Sequence, residues 1–143
     1  MIWFLRHGDA ENTEPDFDRR LTDKGRRQSE TAGQALAALG VKPELCLTSP
    51  RVRARETAEL ACEPLGVEAA EDQRLQGGSF DALDLGAGLD QVLLVGHEPD
   101  FSDAIAELTG ARVDMKKGGL AAVQDGELRV LLRPREIEKI AHR

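Results

Sequence analysis

Two short apolar runs, each followed by a histidine beside a glycine, constrain the fold of this 143-residue chain more than any other feature. Residues 2–5 (Ile-Trp-Phe-Leu) lead into Arg6-His7-Gly8, and residues 92–95 (Val-Leu-Leu-Val) lead into Gly96-His97. An unbroken apolar run of this length is typical of a strand buried on both faces of a sheet. Such a sheet needs helices on both sides, so the pattern predicts an α/β protein.

The segments between these two runs show helical spacing and further strands. Thr22 is the predicted N-cap of a helix that ends at Gly40. A second buried strand is expected over 44–48. Ser49 and Pro50, a cap residue followed by a proline, predict a helix from Pro50 to about Pro64. A weak third strand is expected over 66–70.

The C-terminal third completes the predicted topology. Asp125-Gly126 lies between strand-like runs at 120–124 and 127–132, which is a strong β-hairpin signal. Residues 71–90 are the least regular part, with at most a short helix near 80–85. We therefore predict one domain over residues 1–143, a three-layer α/β/α sandwich whose mostly parallel sheet carries an antiparallel hairpin at one edge.

Composition excludes several classes of function. The net charge of −7 disfavours binding to nucleic acid or to an anionic membrane surface. No apolar run reaches the ~20 residues that span a bilayer, and the N-terminus lacks the basic region of a signal peptide, so a cytoplasmic location is expected. The two cysteines, Cys46 and Cys62, form neither a disulfide framework nor a zinc-binding pattern.

Polar residues follow the predicted parallel strands, whose carboxyl ends meet at one edge of the sheet. His7 and His97 therefore converge with Arg6 and with one or more of the arginines at 51, 53 and 55. Guanidinium groups bind phosphate oxygens two at a time, so this edge is a candidate phosphate pocket. A neutral histidine held by a backbone carbonyl can carry a phosphoryl group, and Gly8 would let the phosphate approach closely. We expect the arginines to lower the pKa of His7.

Other chemistries were weighed on the same residues. A cysteine phosphatase needs an arginine six residues after its cysteine, but Val52 holds that position after Cys46. A metallohydrolase would have to use His7, Asp9, His97 and Asp100, with arginines repelling the ion. A binding module for phosphorylated ligands, without turnover, is a third possibility.

Four motifs in order resemble the histidine phosphatase superfamily, whose fold is that of phosphoglycerate mutase. Leu5-Arg6-His7-Gly8-Asp9-Ala10 resembles its R-H-G signature, and residues 18–25 resemble its R-x-L-T-x-x-G segment. Residues 49–58 resemble S-P-x-x-R-A-x-x-T-A, and residues 95–99 resemble V-G-H-E-P. The short length and the R-H-G-D-A and G-H-E-P variants most resemble SixA-type phosphohistidine phosphatases.

The resemblance implies a role for each matching residue. His7 would be the nucleophile, Arg6 and Arg53 would clamp the phosphoryl group, and His97 would bind it from the opposite side. Gly8 and Arg19 would also face the substrate. The resemblance implies no cofactor and no metal. Oligomeric state is not readable from the sequence.

One departure from the family bears on the substrate. Larger members carry a carboxylic acid after the third strand that protonates the leaving oxygen, but residues 74–79 (Arg-Leu-Gln-Gly-Gly-Ser) contain none. An alkoxide leaving group needs such an acid more than an imidazole does. We therefore expect phosphohistidine on a protein partner as the substrate. The alternatives are a small phosphorylated metabolite and non-catalytic binding.

Overall fold

The computed structural model describes residues 1–142 of the chain. One mixed sheet forms its centre, and its six strands are β1 (Ile2–Arg6), β2 (Leu45–Thr48), β3 (Ala69–Glu71), β4 (Val92–Gly96), β5 (Leu120–Gln124) and β6 (Glu127–Leu132). The helices are α1 (Asp23–Ala38), α2 (Val52–Cys62), α3 (Ala82–Leu85), α4 (Asp100–Thr109) and α5 (Pro134–Ala141). Short 3-10 turns lie at Asp16–Asp18, Glu63–Leu65 and Gln73–Leu75.

The strand order is β3-β2-β4-β1-β5-β6. The first four strands in this order are parallel, whereas β5 runs antiparallel to β1 and β6 antiparallel to β5. The predicted fold class, a mostly parallel sheet with an antiparallel edge hairpin, is confirmed. The chirality of parallel connections places helices on both faces of such a sheet.

Alternate side chains of the central strands enter two separate cores. Trp3 and Leu5 of β1 pack into the core that includes α1, α2 and α5. Ile2 and Phe4 of the same strand pack into the core that includes α3 and α4. This arrangement explains the unbroken apolar run at 2–5, because both faces of β1 are covered.

Several predicted element ends are confirmed by the structure. The Thr22 side chain accepts a hydrogen bond from the Gly25 amide and caps α1. Asp125 and Gly126 have φ of 52° and 72°, as a two-residue hairpin turn of positive φ requires.

Two predicted boundaries were wrong. The helix expected from Pro50 begins at Val52, because Ser49 and Pro50 lie in the loop after β2. The third strand covers Ala69–Glu71 instead of 66–70, because Gly66 adopts a left-handed conformation at the end of a 3-10 turn. A residue with a φ of 67° cannot continue into an extended strand.

Candidate active site

The candidate site lies where three neighbouring parallel strands end. β4 is hydrogen-bonded to β1 on one side and to β2 on the other. The amide of His7 donates to the carbonyl of Gly96 at 3.0 Å, and the amide of Ser49 donates to the carbonyl of Val95 at 3.0 Å. His7, Ser49 and His97 are therefore brought to one edge of the sheet by backbone pairing that extends past the strand ends.

His7 is buried and held in one orientation by a main-chain contact. Its Nδ1 atom lies 2.7 Å from the carbonyl oxygen of Gly8, and its Nε2 atom accepts a hydrogen bond from Arg53 Nε at 3.4 Å. Because a carbonyl oxygen can only accept, Nδ1 carries the proton and Nε2 keeps its lone pair. The backbone carbonyl expected to hold the ring is thus that of Gly8.

Burial is the main cause that lowers the pKa of His7 to about 4, with smaller contributions from the charges of Arg53, Arg6 and Arg19. The hydrogen bond to Gly8 acts in the opposite direction. The expected lowering of this pKa by the arginines is confirmed, and burial adds a larger lowering of its own. At neutral pH His7 is uncharged, which is the state a nucleophilic imidazole requires.

His97 faces His7 across the site, with 5.2 Å between the ring centroids. Its Nε2 atom lies 2.8 Å from the hydroxyl oxygen of Ser49. Burial is the main cause that lowers the pKa of His97 to about 3. Repulsion by the charges of protonated His7 and of Arg53 lowers it further. Both histidines are therefore neutral together in the free protein.

Arg53 and Arg6 reach the site from different elements. Arg53 lies in the first turn of α2 and is only 8% exposed. Arg6 ends β1, and its guanidinium donates to the main-chain carbonyl of Met115 at 2.8 Å. Among the side chains that the structure describes, two buried nitrogen atoms lack a hydrogen-bond partner, Nε of Arg6 and Nδ1 of His97. Both belong to this site.

Gly8 is required by packing against α1. A Cβ atom at Gly8 would lie 2.6 Å from the carbonyl oxygen of Gly25, and one at Gly25 would lie 2.0 Å from the carbonyl oxygen of Asp9. The loop after β1 and the start of α1 are therefore in direct backbone contact. The close approach of a phosphate to Gly8 stays a prediction, and the contact with Gly25 is a second reason for a glycine here.

The remaining arginines of the motifs lie at the edge of the site. Arg19 donates to the carbonyl of Glu11 and pairs with Asp16 at 3.2 Å. Arg51 pairs with the same carboxylate at 2.8 Å. Arg55 lies on the outer face of α2 and pairs with Glu59 at 3.8 Å. Of the three arginines at 51, 53 and 55, the structure thus places Arg53 against His7.

Nearby acidic side chains are engaged elsewhere. Asp9 accepts a hydrogen bond from the Thr22 hydroxyl at 2.9 Å, which is the first cause that lowers the pKa of Asp9. Asp81 caps α3 through the amide of Asp84. Asp72 forms a two-oxygen pair with the guanidinium of Arg74. Each of these three carboxylates already has a hydrogen-bond partner, so they are poorly suited to donate a proton to a leaving group.

Neither a metal centre nor a cysteine nucleophile is assembled by the described residues. Within residues 1–142, no three side chains of the histidine, cysteine, aspartate and glutamate types come together as metal ligands do. Cys46 and Cys62 are buried, and the contact between them, with burial, raises the pKa of Cys46. Over the same residues, no helix has the length and apolar character needed to cross a bilayer.

Comparison with known proteins identifies the family. The sequence model of the histidine phosphatase superfamily (branch 1) matches residues 2–101, which include His7, Arg53 and His97. The chain belongs to the histidine phosphatase superfamily. Membership of this superfamily supports phosphatase activity.

Relatives in this superfamily differ in size. An uncharacterised protein from Picosynechococcus sp. is 37% identical over 144 residues, covering 90% of this chain and 87% of the relative. A 2,3-bisphosphoglycerate-dependent phosphoglycerate mutase from Sphingopyxis alaskensis is 35% identical over 99 residues, covering 64% of this chain and 42% of the mutase. The mitochondrial phosphatase Pgam5 from Drosophila virilis is 33% identical over 115 residues, covering 79% and 37%. This chain spans less than half the length of the latter two.

Solved histidine phosphatase structures share the fold. The protein histidine phosphatase SixA in complex with tungstate has a TM-score of 0.83 at 24% identity, covering 95% of this chain and 98% of that one. A SixA structure from Agrobacterium tumefaciens has a TM-score of 0.82 at 23% identity, covering 93% and 97%. The sheet, its edge hairpin and the surrounding helices are thus those of SixA-type structures.

Some residues that build the site carried no functional signal in the sequence. Ser49 was interpreted as a helix cap, yet its hydroxyl contacts His97. Thr57 accepts the amide of Gly8 at 3.1 Å and donates to the carbonyl of Arg53 at 2.7 Å. Its helical spacing of four residues from Arg53 in the S-P-x-x-R-A-x-x-T-A motif is the pattern that would have indicated it.

Proposed function

We propose that this protein is a metal-independent phosphatase that forms a phospho-His7 intermediate and dephosphorylates phosphohistidine on a protein partner. The observation that supports the proposal best is the state of His7. Nδ1 is held by the carbonyl of Gly8, Nε2 has a lone pair, and the ring is neutral at physiological pH. An imidazole fixed in this tautomer is oriented to attack phosphorus through Nε2.

The proposed reaction has two transfers. The Nε2 lone pair of His7 forms a bond to phosphorus while the bond from phosphorus to the leaving nitrogen breaks, and the leaving imidazole takes a proton from solvent. Water then attacks the phosphorus of phospho-His7 and loses a proton. Inorganic phosphate leaves, and His7 regains its lone pair. Splitting the reaction in this way replaces one difficult step by two easier ones.

The charge on the transferring oxygens would be met by groups already at the site. Arg53 lies against His7, and Nε of Arg6 is a donor without an acceptor in the described structure. Nδ1 of His97 is likewise a donor without an acceptor in the tautomer in which the Ser49 hydroxyl donates to Nε2. Burial of these donors costs free energy unless an acceptor arrives, so a phosphoryl group would satisfy them. Gly8 and Arg19 are the further substrate contacts in this proposal. Positioned donors of this kind contribute a few kcal/mol each to catalysis.

The proposed substrate follows from the acidic residues near the site. Asp9, Asp72 and Asp81 are each committed to other partners. Because these three carboxylates are engaged, none of them is available to protonate the alkoxide of a sugar phosphate, whereas an imidazole leaves readily. The SixA-type fold is consistent with this choice.

Covalent labelling tests the proposal. Wild-type protein mixed briefly with substrate carrying a radioactive phosphoryl group should acquire a label that is labile to acid and stable to alkali. His7→Ala should lose both label and turnover. His142→Ala, which alters an exposed histidine on a different part of the chain, is the matched control and should retain both. A fully active His7→Ala protein would exclude the mechanism.

A substrate panel separates the candidate functions. We expect kcat/KM to be highest for a phosphohistidine protein, lower for phosphoramidate and lowest for sugar phosphates, and to be unchanged by a chelator. A preference for one sugar phosphate would favour the alternative function, a phosphatase of a small phosphorylated metabolite. Saturable binding without turnover on the whole panel would instead favour a binding module.

A further inference from the structure

A carboxylate of this chain lies on the arginines of the candidate site. Asp16 begins the short 3-10 turn Asp16–Asp18, which follows the loop after β1. One of its carboxylate oxygens lies 2.8 Å from the guanidinium of Arg51 and 3.4 Å from that of Arg53. The other oxygen lies 3.2 Å from Arg19. Asp16 is thus an anion shared by three guanidinium groups.

Each guanidinium nitrogen of Arg53 already has a protein partner. Nε donates to His7 at 3.4 Å, one terminal nitrogen donates to the main-chain oxygen of Asp16 at 3.0 Å, and the other lies against the Asp16 carboxylate. A guanidinium group binds carboxylate and phosphate oxygens with the same planar geometry. A phosphoryl group gripped by Arg53 therefore needs donors that the Asp16 side chain now occupies.

The contact with Asp16 is weak enough to be exchanged. Its side chain is 54% exposed, and exposed ion pairs contribute little because water screens them. Hydrogen bonding from Arg19, with the charges of Arg53 and Arg51, lowers the pKa of Asp16, so the carboxylate is ionised at neutral pH. A phosphoryl dianion carries twice the charge of the Asp16 carboxylate, so it would bind the guanidinium groups more strongly and would also repel that carboxylate.

We propose that Asp16 is a tethered competitor for the phosphoryl site: its carboxylate occupies the donors of Arg51 and Arg53 in the free protein, and a phosphoryl group displaces it on binding. Asp16 thereby sets the affinity of the site. This inference rests on the proposed function, since it takes Arg53 as a phosphoryl ligand.

The main-chain contacts of the turn make the side chain separable from the fold. The amide of Asp18 donates to the carbonyl of Pro15, and the amide of Arg19 donates to the carbonyl of Asp16. The Asp16 carbonyl also keeps one terminal nitrogen of Arg53 in place. Asp16→Asn retains all three contacts, so it removes the carboxylate charge without removing the support of Arg53.

Calorimetric titration with tungstate and with inorganic phosphate measures the effect without turnover. Asp16→Asn should bind both anions about five- to tenfold more tightly than wild type, because a competing and repelling charge is gone. In turnover assays its KM should fall while kcat changes little. Asp18→Asn is the matched control: Asp18 is exposed on the same turn, forms no ion pair with the described arginines, and should change affinity less than about twofold.

Each other outcome decides against the inference. Unchanged or weaker binding by Asp16→Asn, together with lost binding by Arg53→Ala, would overturn the role of Asp16 and leave the proposed site intact. An equal gain in anion affinity by Asp18→Asn would also overturn it, because the effect would then come from the change in net charge and not from the position of Asp16. Absence of anion binding in both wild type and Asp16→Asn would overturn the proposed phosphoryl site as well.

Discussion

Arg53 Nε lies 3.4 Å from Nε2 of His7 and donates a hydrogen bond to it. The guanidinium that we propose as the phosphoryl clamp thus occupies the lone pair that we propose as the nucleophile. When phosphorus arrives, this donor has an oxygen to bind in place of the ring nitrogen. The exchange would free the nucleophile and grip the transferring group in one movement.

The ionisation of the two site histidines gives a first prediction. Burial lowers the pKa of His7 to about 4 and that of His97 to about 3, so neither ring should gain a proton between about pH 8 and pH 5. The ring nitrogens can be followed by NMR across this range in protein free of phosphate. Their shifts should stay constant and should show Nδ1 of His7 protonated. A midpoint near 6.5 for either ring would contradict the prediction.

The three arginines at the start of α2 should differ in their contribution to catalysis. Arg53→Ala should lower kcat/KM by about a hundredfold or more, because it removes a buried donor next to the nucleophile. Arg51→Ala should cost less, and Arg55→Ala, whose side chain pairs with Glu59 outside the site, should change kcat/KM less than about threefold. Steady-state kinetics on one substrate ranks the three. Equal losses would show that Arg53 has no special position.

Thr57 should act as a positioning residue. Its hydroxyl links the amide of Gly8 to the carbonyl of Arg53, and so joins the loop of the nucleophile to the helix of the clamp. Thr57→Val keeps the shape but leaves a buried amide unpaired, which costs about 1–3 kcal/mol. We expect kcat/KM to fall about tenfold, mainly in kcat, with Thr57→Ser restoring most of it. If Thr57→Ser were as impaired as Thr57→Val, the hydroxyl would not be the cause.

The contact between Gly25 and the loop after β1 should be sensitive to a single methyl group. A Cβ atom at Gly25 would lie 2.0 Å from the carbonyl oxygen of Asp9, which is backbone and cannot rotate away. Gly25→Ala should therefore lower the free energy of unfolding by about 1–3 kcal/mol, measured by urea denaturation. Gln34→Ala, at an exposed position of the same helix, is the control and should change it little. Equal stability of Gly25→Ala and wild type would mean that the loop can move.

Much of this fold could be predicted because its strands are buried on both faces. Ile2 to Leu5 enter both cores, which is why their unbroken apolar run is typical of a central strand. β3 is a short, partly exposed edge strand, so its residues carry little pattern and the predicted boundary was shifted. The strength of the prediction follows the degree of burial.

The site could be predicted only in part. The residues proposed to contact the substrate have recognisable chemistry, whereas the residues that position them do not. His7 and Arg53 were indicated by motif and residue type. Asp16 was not, because a loop aspartate usually faces water and only folding brings it to Arg51 and Arg53. Contacts between residues that lie 35 or more positions apart in the chain leave no local pattern.

The guanidinium of Arg6 is held by the main-chain oxygen of Met115, and its own amide by that of Gly119. Both supports come from carbonyl oxygens, so they depend on the path of the main chain before β5. That path in turn limits which residues can stand there, because Met115 is buried in the core with α3 and α4, and a Cβ atom at Gly119 would lie 2.8 Å from the carbonyl oxygen of Lys116. A deletion or insertion there would shift the carbonyls themselves, so the length of this loop must be preserved to keep Arg6 in place.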